Sequence, residues 1–311
     1  MKQMLLLFLA AALLVGCGPS IIAQPVAAQE PAVTALPTST PTSVPASDPN
    51  TIVIGGEVFA YDGHSIVEPE VTFDIYEKTA SDFVDDFDAV YPVDRESYLL
   101  TPGADTETTV VKIVGREPGP TVYVAAGIHG NERAAWYAGL MLQKATIQAG
   151  TLYVLAPANA QGARLVRRTV GTEDPNRCFP GDENGTLAQR LCYAIFHDIE
   201  DKQPEILLDL HEAITYAAGR DFLGSNLIYS SLTGMEDLFF DLLFDTQDGK
   251  VTSRPFNING PGPEGSMNRT VTEALGVPSI TVETFRGYPI ERRVSDQLKI
   301  VAYVLRYKGM L

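Results

Sequence analysis

The chain has 311 residues, a formal net charge of −16 and a pI near 4.6. It has no basic run, so it lacks the positive field that phosphate binding needs, and no nucleic-acid partner is expected. Its length suits one large α/β domain, or one such domain with a small addition.

Residues 1–17, "MKQMLLLFLAAALLVGC", place Lys2 before an apolar run that is short for a membrane span and ends in small residues. That is the pattern of a secretory signal peptide. Its end, Leu14-Val15-Gly16-Cys17, resembles the lipobox of bacterial lipoproteins. The resemblance implies that Cys17 is lipidated and becomes the first residue. Residues 18–50 are rich in Pro, Ala, Ser and Thr and nearly free of charge. Such a composition buries too little apolar surface to offset chain entropy and reads as an extended tether. Together these segments predict a domain lipid-anchored to a bacterial membrane in the cell envelope, facing outside the cytoplasm.

Residues 51–97 read as a β-rich extension that then turns helical. In "EVTFDIYE", Val71, Phe73 and Ile75 alternate with polar neighbours, as in a half-buried strand. "ASDFVDDFDAV" reads as a short acidic helix. The segment holds no chemical motif, and His64 reads as a surface residue in a turn.

From Tyr98 to Leu311 apolar strands alternate with helical stretches. The strands are "TVVKIV", "TVYVAA", "TLYVLAP", "EILLDL", "NLIYS" and "SITVE". "NERAAWYAGLMLQKA", "TLAQRLCYAIFHDIE" and "IERRVSDQLKIVAYVLRY" are helical, the second with Thr186 as N-cap. The pattern predicts an α/β fold with a mixed, largely parallel sheet covered by helices on both faces.

The unusual polar residues fall at the ends of different strands: His129, Asn159, His211 and Glu283. Ligands of open α/β sheets bind beyond the carboxyl ends of the strands. His129 and Glu132 stand three apart at a strand-to-helix turn, and His211 follows from a neighbouring strand. Two imidazoles and a carboxylate make the three-ligand set of a catalytic zinc, with one position open for water. His197, in the middle of a helix, is set aside.

"ARLVRRTVGTEDPNRCFPG" gathers Arg164, Arg167, Arg168 and Arg177 in an acidic protein. They form either surface ion pairs with Glu173, Asp174 and Asp182 or a pocket for a substrate carboxylate, which guanidinium grips at two points. Asn176 adds a neutral donor. Glu283 at a strand end is suited to take a proton from water and deliver it to a leaving amine. Cys178 and Cys192 either form a disulfide, worth up to ~3 kcal/mol, or stay as two thiols.

"GIHGNE", "DPNRCFPG", "LDLHEA" and "ITVET", in that order, resemble the zinc carboxypeptidase superfamily. The closer likeness is to the branch containing succinylglutamate desuccinylase and aspartoacylase, and it runs over roughly Tyr98–Leu311. The resemblance implies one zinc ion on His129, Glu132 and His211, with Asp174 orienting the first histidine. It further implies that Asn176 and Arg177 clamp the substrate carboxylate, that Arg168 polarises the carbonyl, and that Glu283 is general base and acid. A tyrosine near the substrate is expected at Tyr216, Tyr229 or Tyr288. One predicted helix follows Glu283, so the likeness does not extend to the branch's additional C-terminal β domain.

The resulting expectation is a zinc-dependent amide hydrolase acting beside a free carboxylate, with an N-acyl amino acid as substrate. A metallocarboxypeptidase acting on envelope peptides is the alternative. A non-catalytic binding module is disfavoured because no ligand and no base is missing.

Overall fold

The computed structural model describes residues 48–54, 57–63, 66–213 and 224–311. The signal peptide, Cys17, the tether up to residue 47, His64 and Tyr216 lie outside them. Among the described residues no helix is long and apolar enough to cross a membrane.

The central sheet has eight strands: β3 (Asp94–Leu100), β4 (Thr108–Val114), β5 (Glu117–Ala126), β6 (Ala149–Leu155), β7 (Ile206–Ala213), β8 (Asn226–Tyr229), β9 (Asn257–Asn259) and β10 (Ser279–Phe285). Their order is β3-β4-β6-β5-β7-β10-β8-β9. The four middle strands, β6-β5-β7-β10, run parallel. Antiparallel pairings join β3 to β4, β4 to β6, and β8 to β10. A separate hairpin pairs β1 (Thr51–Ile54) with β2 (Glu57–Ala60).

Alternation along the strands feeds two cores. Val122, Val124 and Ala126 of β5 join one apolar cluster, while Tyr123 and Ala125 join the other. The first is covered by α1 (Arg133–Leu142), α4 (Glu236–Gln247) and α6 (Ile290–Tyr307). The second is covered by α3 (Leu187–Lys202) and α5 (Met267–Leu275), and a short α2 (Ala160–Leu165) follows β6. Sheet layers buried on both faces explain why the middle strands read as near-continuous apolar runs. Thr186 caps α3 as expected: its hydroxyl accepts from Gln189 N at 3.2 Å, and the Gln189 side chain accepts in return.

The extension departs from its expected elements. "EVTFDIYE" is irregular chain ending in a 3₁₀ turn at Ile75–Glu77, because Asp74 accepts from Tyr76 N and no strand lies alongside. The acidic stretch forms two 3₁₀ turns, Ala80–Asp82 and Asp85–Phe87, instead of one helix. The apolar pattern is nonetheless used: Ile75, Ala80, Val84 and Phe87 are buried in the core beneath α1 and α6. Cys178 and Cys192 are both free thiols.

Candidate metal centre

Three neighbouring strands deliver the site. β5 ends at Ala126, and the turn after it carries His129 and then Glu132, which caps α1. The turn is tight, and a Cβ at Gly130 would overlap the backbone of Gly162 and Ala163, so the glycine of "HGNE" is sterically required. His211 lies inside β7, directly beside Glu283 of β10 in parallel register. Residues in parallel register share a face, so both side chains leave the sheet on the same side. The preceding residue of that parity, Asp209, does too.

His129 Nδ1 is 2.8 Å from Glu132 Oε1, and His211 Nδ1 is 3.0 Å from Glu132 Oε2. One ligand atom from each residue lies within 4.8 Å of the others, and all three residues are buried. Each imidazole is held from behind by a carboxylate. His129 Nε2 is 3.0 Å from Asp174 Oδ1, and His211 Nε2 is 3.1 Å from Asp209 Oδ1. Carboxylate–histidine pairs of this kind fix ring orientation and tautomer at metal sites. Against the cost of desolvation, Asp209 and Glu132 raise the His211 pKa well above its ordinary value. Glu132 is held well below the usual carboxylate range, its desolvation outweighed by the two histidines. A cation in this cage would take the place of those protons. The donor set, its burial and its orienting carboxylates fit zinc.

Glu283 is different. Its Oε2 is buried and has no hydrogen-bond partner among the described residues. Burial, with Glu132 adding to it, raises the carboxyl to about 7, and His211 only partly offsets this. It is a carboxyl that titrates near neutrality beside the ligand cluster, as groups at functional sites often do.

The arginine-rich loop is brought in by the turn at Pro175–Arg177. Asp174 caps that turn, accepting from Asn176 N at 2.9 Å while it holds His129. Arg168 donates to Asp174 Oδ2 from Nε at 3.1 Å and from a terminal nitrogen at 3.0 Å, and reaches Glu132 Oε1 at 3.3 Å. Arg164 instead turns away to the Asp105 carbonyl at 2.7 Å. Asn176 is buried, its Oδ1 accepting from Met267 N at 2.8 Å and its Nδ2 3.4 Å from His211 Nε2. Arg177 is exposed and pairs with no carboxylate among the described residues. Asn159 is structural: it caps α2 by accepting from Gly162 N at 2.8 Å. Tyr288 packs with Phe59 and Phe285 beneath Arg292, and Tyr229 packs on Phe239. Sequence reasoning missed Asp209, although its spacing of two from His211 in a strand places both on one face. It also missed Glu212 and its partners on the opposite face.

The fold is one shared by deacylases and metallocarboxypeptidases. A succinylglutamate desuccinylase from Silicibacter sp. TM1040 superposes with a TM-score of 0.55 at 18% identity, over 72% of each chain. A metallo-carboxypeptidase from Burkholderia cenocepacia gives 0.54 at 12% identity, over 73% of this chain and 67% of that one. The product-bound ectoine utilization protein EutE from Ruegeria pomeroyi gives 0.53 at 18%, over 72% of each. No curated protein sequence matches the chain. Residues 118–306 match the succinylglutamate desuccinylase/aspartoacylase catalytic domain, and the chain belongs to that family of hydrolases.

Proposed function

We propose that the protein is a zinc-dependent amide hydrolase that cleaves N-acyl amino acids at the bond beside a free carboxylate. The observation that carries this reading is the buried His129–Glu132–His211 cluster, each imidazole backed by a carboxylate, with Glu283, whose Oε2 has no partner among the described residues, in register next to it.

Zinc held by His129, Glu132 and His211 would supply a Lewis acid for the scissile carbonyl and acidify water. Glu283 takes the proton from the attacking water and returns it to the leaving amine. Its raised pKa suits both steps, because the acid formed midway is still able to donate near neutral pH. Arg168, at the rim, balances negative charge developing on the carbonyl oxygen. Arg177, which pairs with no carboxylate among the described residues, offers its guanidinium to the substrate carboxylate, and the buried Asn176 adds an amide donor. Asp174 ties these groups together, since one carboxylate holds His129, Arg168 and the Asn176 backbone. The lipobox ending at Cys17 supports a place on the outer side of a bacterial membrane, where the enzyme would meet its substrate outside the cytoplasm.

The test is to incubate the zinc-loaded protein with a pool of N-acyl amino acids and short peptides, with and without chelator, and follow products by mass spectrometry. Chelator-sensitive release of acyl groups, with peptides intact, is the expected result. Release of C-terminal residues would move the assignment to a metallocarboxypeptidase. Turnover that the chelator leaves untouched would end the zinc reading.

A further inference from the structure

His211 and Glu212 are consecutive in β7 and therefore leave the sheet on opposite faces. Behind the metal ligands, Glu212 pairs with Arg293 of α6, which together with Arg286 holds Glu68 of the N-terminal extension. Arg293 donates to Glu212 Oε1 at 2.5 Å and to Glu68 Oε1 at 3.0 Å. Arg286 grips Glu68 at two points, 2.8 Å to Oε1 and 3.0 Å to Oε2, and donates to the Asn131 carbonyl at 2.8 Å.

Every arm of this cluster touches the frame of the site. Asn131 lies between His129 and Glu132 in the ligand turn. Glu212 Oε2 accepts from Ala134 N at 2.9 Å, just after Glu132, and Glu212 itself follows His211. Arg286 lies three residues beyond Glu283, and its backbone N–H donates to the Ala213 carbonyl at 3.0 Å.

Charge decides what Glu68 contributes. The Arg293 and Arg286 side chains are only 1% and 7% exposed, and Glu212 is ion-paired with Arg293. Glu68, 30% exposed, supplies the second negative charge. Without it a desolvated, uncompensated cation would stand directly behind a site that collects a divalent one. The extension holds Glu68 in place through Ile66, which is buried against Phe59 and Phe285.

We propose that Glu68 is a positioning residue for the metal centre. By neutralising Arg286 and Arg293 it holds the His129–Glu132 turn and the end of β7 in ligating geometry. The inference rests on the metal reading above and gives the extension, which lies outside the family match, a part in the site.

The test uses the full chain and compares the zinc dissociation constant, from chelator competition, with kcat, KM and melting with and without zinc. Glu68→Gln keeps size and removes charge. It should weaken zinc binding about 10-fold, the lower end for a residue supporting metal ligands, and lower kcat more than KM changes. Glu68→Asp keeps the charge on a shorter arm and should fall between, at about 3-fold. Ile75→Ala is the control, because it loosens the packed extension without touching the cluster; its melting should fall while zinc affinity stays put. Glu68→Gln within twofold of wild type, or Ile75→Ala weakening zinc equally, overturns the proposal. If Glu68→Gln does not fold, Glu68→Asp decides it: affinity within twofold of wild type overturns the proposal. Wild type that fails to bind zinc, or His129→Ala that binds it normally, overturns the metal reading and this inference with it. Wild type that binds zinc and His129→Ala that loses it, together with an unaffected Glu68→Gln, overturn this inference alone.

Discussion

Glu283 carries a carboxylate oxygen that is buried and has no partner among the described residues, a costly state unless a substrate or water completes it. Glu283→Gln should keep fold and zinc affinity while lowering turnover at least ~100-fold, the lower range for general acid–base catalysis. Near-normal turnover would remove Glu283 from the chemistry. The pH dependence follows from the same carboxyl. It must be ionised to accept a proton, so kcat/KM should fall as pH drops through its pKa, which burial raises to about 7. A bound dication draws that value down, so the acid limb should have its midpoint below 7. A profile flat from pH 5 to 8 would contradict the assignment. Arg177, with no carboxylate partner among the described residues, makes a separate prediction. Arg177→Met should raise KM for substrates with a free carboxylate and leave blocked analogues nearly unchanged; equal loss on both would argue against the clamp. At this scale much was legible. His129 and His211 are two of only four histidines, Glu132 stands three residues after the first of them, and the sheet edge gathers all three. Glu68 and Arg293 were not legible, because their contact joins residues 225 apart that carry no motif.

Strand β7 shows how an element distributes work. Its alternation sends Asp209 and His211 to the metal face and Glu212 to the α6 face, within four residues. Asp209 is buried and backs His211, so Asp209→Ala should weaken zinc binding about 10- to 100-fold. Measured by chelator competition, an unchanged affinity would make Asp209 a mere packing residue. The α3 cap is a prediction of a different kind: Thr186→Ala removes the acceptor for Gln189 N and should cost about 1 kcal/mol in denaturant unfolding, with zinc affinity untouched. The six expected strands all form because apolar runs of that length bounded by turn residues have one good home, a sheet covered on both sides. α6 spans the same residues as its sequence pattern, since its apolar stripe repeats at helical spacing over eighteen residues. The extension was misread for the complementary reason. Alternation at Val71, Phe73 and Ile75 records which side faces the core, and an irregular chain lying on α1 and α6 produces it as readily as a strand does.

The whole molecule packs residues 47–311 as one compact unit, with the extension contributing buried side chains to the larger core. Asp296 of α6 tests that core through pH. Burial raises its carboxyl to about 6 from 3.8, with Arg292 and Lys299 offsetting part of the penalty. The folded state therefore favours the protonated form, and its stability relative to the unfolded chain falls as pH rises from about 4 to 6 and is flat above. Asp296→Asn should escape that decline, gaining on the wild type by up to about 3 kcal/mol above pH 6 and by nothing near pH 3. A gain that is the same at both ends of that range would mean that ionisation is not its source.

The family match starts at residue 118, inside β5 (Glu117–Ala126), yet the carboxylate that completes the charge behind the metal ligands is Glu68. If Glu68 holds the site as proposed, the segment that carries the family match would not be portable. A chimera that moved residues 118–306 onto a relative's leading region would inherit the ligands, the base and both arginines but not the anion they are built around. On that reading, a leader brought in from elsewhere would have to supply a carboxylate at the place Glu68 occupies, because residues 286 and 293 would come with the segment and residue 68 would not.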